Sequence, residues 1–189
     1  MKELVDRWQT RAGVWLAMRP MRPSDAPLVK ESLNKLSANA RRSRFFASIG
    51  EFSDDTVRQL VTVDPQQACA LLVLRTDNEL PTPIAGGRFV CNENAQECSL
   101  SVLVGDAWQG QGIGRRIIQA LLHEASRRGL RRMTGQVLAD NQAMLRLARS
   151  LHFVVLESAN DDGVLRIIRD IPDERARQRG GLLGRVFRS

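Results

Sequence analysis

The segment Val104–Gly114, VGDAWQGQGIG, places glycines at 110, 112 and 114 between an apolar run and a long amphipathic one. Glycine has no side chain to hold a ligand oxygen away from the backbone N–H groups. In the first turn of a helix those N–H groups have no helical acceptor, and the helix dipole adds partial positive charge. The combination is a cradle for a phosphate or pyrophosphate. Arg115 and Arg116 stand where charge-assisted contacts would strengthen it. Two common versions of such a cradle fail. Counted from Gly110, the pattern G-x-G-x-x-G puts Arg115 where its third glycine belongs, and no Gly-Lys-Ser/Thr is present for a P-loop. On these residues alone two readings stay open: a ligand cradle, or a turn whose glycines only let a strand pass into a helix.

The surrounding pattern supplies that strand and that helix. Glu97, Ser99, Ser101 and Leu103 alternate with Cys98, Leu100, Val102 and Val104, a period of two that gives one apolar face and one mostly polar face. Gln111–Arg128 carries Ile113, Ile117, Ile118, Leu121, Leu122 and Ala125 on one helical face and stops at Gly129. Upstream, Gly13–Arg19, the apolar run Ala68–Arg75 and Ile84–Val90 read as strands. A helix from Ser24 or Asp25 to about Ser37 and another over Asp54–Val63 lie between the first two of these. Arg41–Phe46 reads as a loop pinned to the core by Phe45 and Phe46. Downstream come a strand at Met133–Leu138, a helix opened by Asp140 or Asn141, and strands at Phe153–Leu156 and Val164–Ile168 around an Asn160–Gly163 turn. The order predicts one α/β domain with a central mixed sheet and helices on both faces. It divides as an extension over 1–12, the domain over 13–171 and a basic tail over 172–189.

Composition narrows the classes of function. With 189 residues, 43% hydrophobic and 26% charged, the chain can bury a core of ordinary size. Its formal charge is +7, but Arg175, Arg177, Arg179, Arg185 and Arg188 supply five of these in the last fifteen residues. The body is left near neutrality, which argues against a nucleic-acid-binding face on the fold. No apolar run has the roughly 20 residues of a membrane span, and the start lacks the apolar stretch of a secretory signal, so a cytoplasmic protein is expected. Cys69, Cys91 and Cys98 form no C-x-x-C pair, and His123 and His152 are the only histidines, so no metal is expected.

In this setting Gln109–Gly114 resembles the Q-x-x-G-x-G signature of the GNAT acetyltransferase superfamily. Asn141 and the run Leu147-Ala148-Arg149-Ser150-Leu151-His152-Phe153 are similar to the family's second motif as found in bacterial protein lysine acetyltransferases of the Pat type. Met21–Ala26 (MRPSDA) and Arg41–Phe46 (RRSRFF) resemble that subgroup's opening, so the likeness runs from Gly13 to Asp170. It implies a mixed, mostly antiparallel sheet and acetyl-CoA as cosubstrate. The pyrophosphate would lie on the backbone of Gly110, Gln111, Gly112, Ile113, Gly114 and Arg115, with Gln109 shaping the loop. The pantetheine arm would bond the backbone of Val102, Leu103 and Val104, and Asn141 would contact that arm or serve as a helix cap.

The implied reaction is acetyl transfer to a primary amine, a protein lysine above all, by direct attack on the thioester. The amine must first be neutral, against a lysine pKa of roughly 10.4. The family's glutamate base would fall at Ser99 in this sequence, with Glu97 two residues earlier on the same face; both are candidate catalytic residues. The family's tyrosine acid would fall at Ala148, and the chain contains no tyrosine. Those departures also fit a non-catalytic acyl-CoA sensor, and the arginine-rich tail fits a docking module.

Overall fold

The computed structural model describes residues 5–46, 50–77, 79–92, 96–157 and 163–172. Eight strands form one sheet: β1 (Asp6–Gln9), β2 (Trp15–Pro20), β3 (Ala68–Arg75), β4 (Thr82–Cys91), β5 (Glu97–Val104), β6 (Arg132–Leu138), β7 (Val154–Glu157) and β8 (Val164–Asp170). Their spatial order is β1-β2-β3-β4-β5-β6-β8-β7, antiparallel throughout except between β5 and β6. The helices are α1 (Ala26–Asn34), α2 (Ala38–Phe45), α3 (Asp54–Val61), α4 (Ile113–Arg127) and α5 (Gln142–Ser150). None of the described helices is long and apolar enough to cross a membrane.

Why β3 is apolar at almost every position follows from what covers it. Cys69, Leu71 and Val73 belong to the core under α4, while Leu72 and Leu74 belong to a second core with Val29 and Leu33 of α1 and Val57 and Val61 of α3. A strand buried on both faces cannot alternate. β5 alternates because its two faces are packed unequally. Cys98 and Leu100 are buried toward α4, whereas Ser99 is exposed on the opposite side. Ile117, Ile118 and Leu121 of α4 are wholly buried on the sheet, each worth about 1.5–3 kcal/mol relative to exposure.

Three local differences from the sequence reading have physical causes. Asp6–Gln9, read as part of an extension, pairs with β2 and forms the edge of the sheet. The stretch around Arg41–Phe46 is helical, because Ser37 caps α2 by accepting from the Ala40 N–H at 3.2 Å. The third concerns Asp25, whose carboxylate spends its acceptors elsewhere than on capping α1. It takes both Nη groups of Arg19 at 2.7 and 2.8 Å and the N–H of Arg22 at 2.8 Å. The Asn160–Gly163 turn and the tail beyond Pro172 fall on residues outside those described, Gly163 excepted.

The Arg19–Asp25 pair has a testable consequence. Burial raises the carboxyl pKa, but the Arg19 and Arg22 bonds together outweigh it and hold the group below its usual range. A lowered folded pKa contributes stability above the unfolded value of about 3.9, and that contribution is lost as pH falls through the folded value. Asp25→Asn is therefore expected to cost about 3 kcal/mol at pH 7, because Arg19 is left half-buried without its counter-charge. The melting temperature should fall by about 6–12 °C, and the gap from the parent should close below about pH 4. A gap that persists unchanged at acid pH would assign the loss to packing alone.

Candidate functional site

β5 and β6 start as neighbours and then part. They pair only over Glu97–Leu100 with Arg132–Gly135, after which β6 continues against β8. The bonds from Asn92 N to Glu97 O and from Gly105 N to Ile84 O fix the odd-numbered residues of β5 as those bonded to β4. By alternation Val102 and Val104 turn their backbone groups to the other edge, which β6 has left. Leu103 turns its own backbone to β4 and its side chain to the α1–α3 side. A cleft of about 1000 Å³ opens at this parting, lined by β5, β6, the glycine loop, α2 and the start of α5.

The glycine loop closes one end of the cleft. Gly110 and Gly112 have φ of +74° and +79°, a left-handed conformation open mainly to glycine. A Cβ built on either would meet no atom within 4 Å, so both glycines face open space. The N–H groups from Gly110 to Arg115 have no acceptor among the described residues; the first donor used is Arg116, to Gly112 O at 3.2 Å. These donors lie at and just before the N-terminus of α4, a 15-residue helix; Gly110, Gly112, Ile113 and Gly114 line the cleft, whereas Gln111 and Arg115 do not. Gln109 Nε2 donates to Val104 O at 3.3 Å and Gln111 Nε2 to Ala107 O at 3.1 Å, fixing the loop on both sides. Arg115 reaches Ser150 Oγ at 2.7 Å and stays beside the loop. Arg116 does not join the cradle, because Asp6 holds it at 2.8 Å over the ring of Trp8.

The opposite wall carries Asn141. Its Oδ1 accepts from Met144 N at 3.0 Å and caps α5, which leaves its amide NH₂ for a second partner on the cleft side. Cap and ligand contact are therefore compatible. α2 spans the cleft between these walls: Ser37, at its start, bonds Asp106 through both N (3.0 Å) and Oγ (2.7 Å), and Arg42 pairs with Asp140 at 2.8 Å. This strap is the part of the site that the sequence reading missed. Its one available signal was Ser37, a capping residue three positions before Ala40.

Of the two catalytic candidates, Ser99 lines the cleft and Glu97 does not. Glu97 sits at the far end of β5, its carboxylate 3.3 Å from an Arg132 that also holds Asp170 at 2.7 Å. Cys98 faces the core under α4, and burial pushes its thiol up to about 12, so it offers no nucleophile to the cleft. Arg44 of α2 borders the cleft among apolar groups; burial, reinforced by neighbouring Arg88, lowers its pKa to about 10.

Known proteins share this fold. The model of the acetyltransferase (GNAT) family matches residues 35–153. An acetyltransferase of Pseudomonas aeruginosa is 32% identical over 150 residues, 79% of this chain and 80% of that one. The acetyltransferase Pat of Mycolicibacterium smegmatis is 31% identical over 165 residues, 87% of this chain but only 48% of Pat, so the chain spans about half of that relative. Among solved structures, the GNAT domain of S. lividans PAT superposes with a TM-score of 0.77 at 24% identity, over 87% of this chain and 96% of that domain.

Proposed function

The chain belongs to the acetyltransferase (GNAT) family, whose members transfer acetyl from acetyl-CoA, and from that premise we propose that it acetylates a primary amine, a protein lysine in the first place. The observation that carries the site assignment is the parting of β5 and β6 beside six unused N–H donors. The donor set fits the cosubstrate: a doubly charged pyrophosphate suits the helix N-terminus, and an amide-rich arm suits the free backbone edge of β5. The motifs at Asn141 and Leu147–Phe153, with their resemblance to protein lysine acetyltransferases, support the lysine acceptor.

Acetyl-CoA, when bound, supplies a thioester whose carbonyl carbon the amine attacks. Gly110 to Arg115 hold its pyrophosphate, and Gln109 keeps the loop in shape. The backbone of Val102 holds the arm, with the Asn141 amide as a further donor; Val104, whose carbonyl already accepts from Gln109, has its N–H to offer, and Leu103 contributes its side chain to the wall. The N–H at Val104 stabilises charge on the carbonyl oxygen. Arg44 favours the neutral amine, since a nearby guanidinium disfavours a second cation. Water in the cleft carries the amine proton to the departing CoA thiolate, so the C–S bond breaks as the C–N bond forms and CoA leaves as the thiol; Ser99, about 16 Å from Val104 along β5, lines the far part of the same cleft and orders its water there. Glu97 stays with Arg132 and is given no part in the step.

Calorimetric titration with acetyl-CoA, CoA and ATP tests the cleft, and thiol release with lysine peptides tests transfer. Both CoA forms are expected to bind and ATP to fail. Binding with no thiol release on any amine would make the chain a sensor and overturn the transfer reading.

Asn141 separates two roles in one experiment. Asn141→Ser keeps a neutral cap of equal quality but withdraws the amide. The KM for acetyl-CoA is expected to rise about tenfold with the melting temperature unchanged, the loss of one or two hydrogen bonds. Asn141→Ala should show the same KM and also lose about 1 kcal/mol of stability. An unchanged KM in both would reduce Asn141 to a cap.

A further inference from the structure

A second cavity of about 430 Å³ lies between the sheet and the layer of α1, α2 and α3. Small residues make room for it. Ala70, Arg88 and Ser101 form one cross-strand row of its floor, and Leu72, Gly86 and Leu103 form the next. Its walls are mostly apolar, with Leu33, Leu36 and Phe45 above. Arg44, Ser101, Leu103 and Trp108 line both this cavity and the cleft, so the two meet beside the end of β5, where the reacting carbonyl is placed above.

The charges on this lining are unbalanced. Asp106 is spent on Ser37, and Lys35 on Glu31 at 2.5 Å. Arg88 reaches only the carbonyl oxygens of Gln59 and Leu60, at 3.5 Å, the limit of a hydrogen bond. Arg44 stacks over the Phe45 ring with its guanidinium carbon 4.8 Å from the centroid. Neither has an acidic partner among the described residues. Burial lowers the pKa of both, and the presence of Arg88 lowers that of Arg44 further. Two desolvated guanidiniums held together against an apolar wall are costly until an anion joins them, and the planar fork of arginine matches a carboxylate.

We infer that this cavity receives the part of the acceptor beside its amine, an apolar group together with a carboxylate, the carboxylate resting on Arg44 and Arg88. The inference rests on the acyl-transfer reading above. A free apolar amino acid can supply that chemistry through its own carboxylate, and a protein can supply it through an acidic residue next to the acceptor lysine.

The test compares matched acceptors by thiol release. One arm sets L-leucine and L-methionine against their amides. The other sets a peptide carrying Leu-Lys-Glu against the same peptide carrying Leu-Lys-Gln. The carboxylate member is expected to have a kcat/KM at least about 30-fold higher in one arm, the size of one or two charge-assisted bonds, and that arm identifies the source. Arg88→Gln should reduce the preference below about threefold. Ala70→Leu, which fills the floor, should cost the leucine-bearing acceptor at least tenfold more than its glycine counterpart. Acids and amides equal in both arms would overturn the inference. Calorimetry with acetyl-CoA on the parent and on Arg88→Gln runs alongside, since Arg88 lies outside the cleft lining. Intact binding with no carboxylate preference sinks this inference alone, whereas absent binding in the parent sinks the transfer reading and this one with it.

Discussion

Gly112→Glu is expected to leave kcat/KM for acetyl-CoA at least about 10³-fold below the parent while the protein stays folded. The backbone at Gly112 is left-handed, and a side chain there costs about 1–2 kcal/mol. That is a melting shift of a few degrees for a chain of this size. Nothing within 4 Å obstructs the new Cβ, and Gly112 lines the cleft, so a side chain there occupies space beside the unused N–H groups. A carboxylate there takes those donors for itself and repels a pyrophosphate, and both effects act on the same few ångströms. Gly112→Asn provides the control. Asparagine tolerates the left-handed conformation and carries no charge, so it should keep the fold and lose about tenfold in affinity. Full turnover in Gly112→Glu would remove the cradle from the glycine loop.

The donor half of this site was legible because each of its parts leaves a local trace. A helix N-terminus that must approach an anion needs glycine, and a strand with one packed face must alternate; both patterns are short-range. Ser99 and Ser101 on the polar face of β5 announced a less packed side, and the cleft lies on it. The rest depends on contacts distant in sequence. α2 is a polar helix whose one buried residue is Ala40, so hydrophobic periodicity could not reveal it. Its position over the cleft is set by Ser37 with Asp106 and by Arg42 with Asp140, pairs separated by 69 and 98 residues. Glu97 shows the converse. Its place two residues before Ser99 is readable, but the Arg132 that occupies it comes from a neighbouring strand 35 residues later.

Gly87 carries the second large effect, and it ties stability to the site. A Cβ there would stand 2.4 Å from Ile117 Cγ2 and 3.3 Å from both Leu121 Cδ1 and Val102 Cγ2. The close approach exists because α4 crosses β4 at this point, with Ile117 and Leu121 fully buried beneath it. Gly87→Val is therefore expected to cost at least about 3 kcal/mol, the upper range for overpacking, and to lower the melting temperature by about 6–12 °C. Strand propensity favours valine over glycine by up to about 1 kcal/mol, so a rise in melting temperature is what the opposite view requires. The strain has one cheap outlet: α4 can lift off the sheet. Its N-terminus is the cradle, four residues from Ile117, so acetyl-CoA affinity should fall in the surviving folded protein as well. Gly87→Ala combined with Ile117→Ala separates these effects. The double variant removes the methyl that the new Cβ would strike, so its loss of stability should fall short of the sum of the two single losses by about 1 kcal/mol or more. Strict additivity would mean that Ile117 turns aside freely, and that the glycine is not what lets α4 lie this close to the strand.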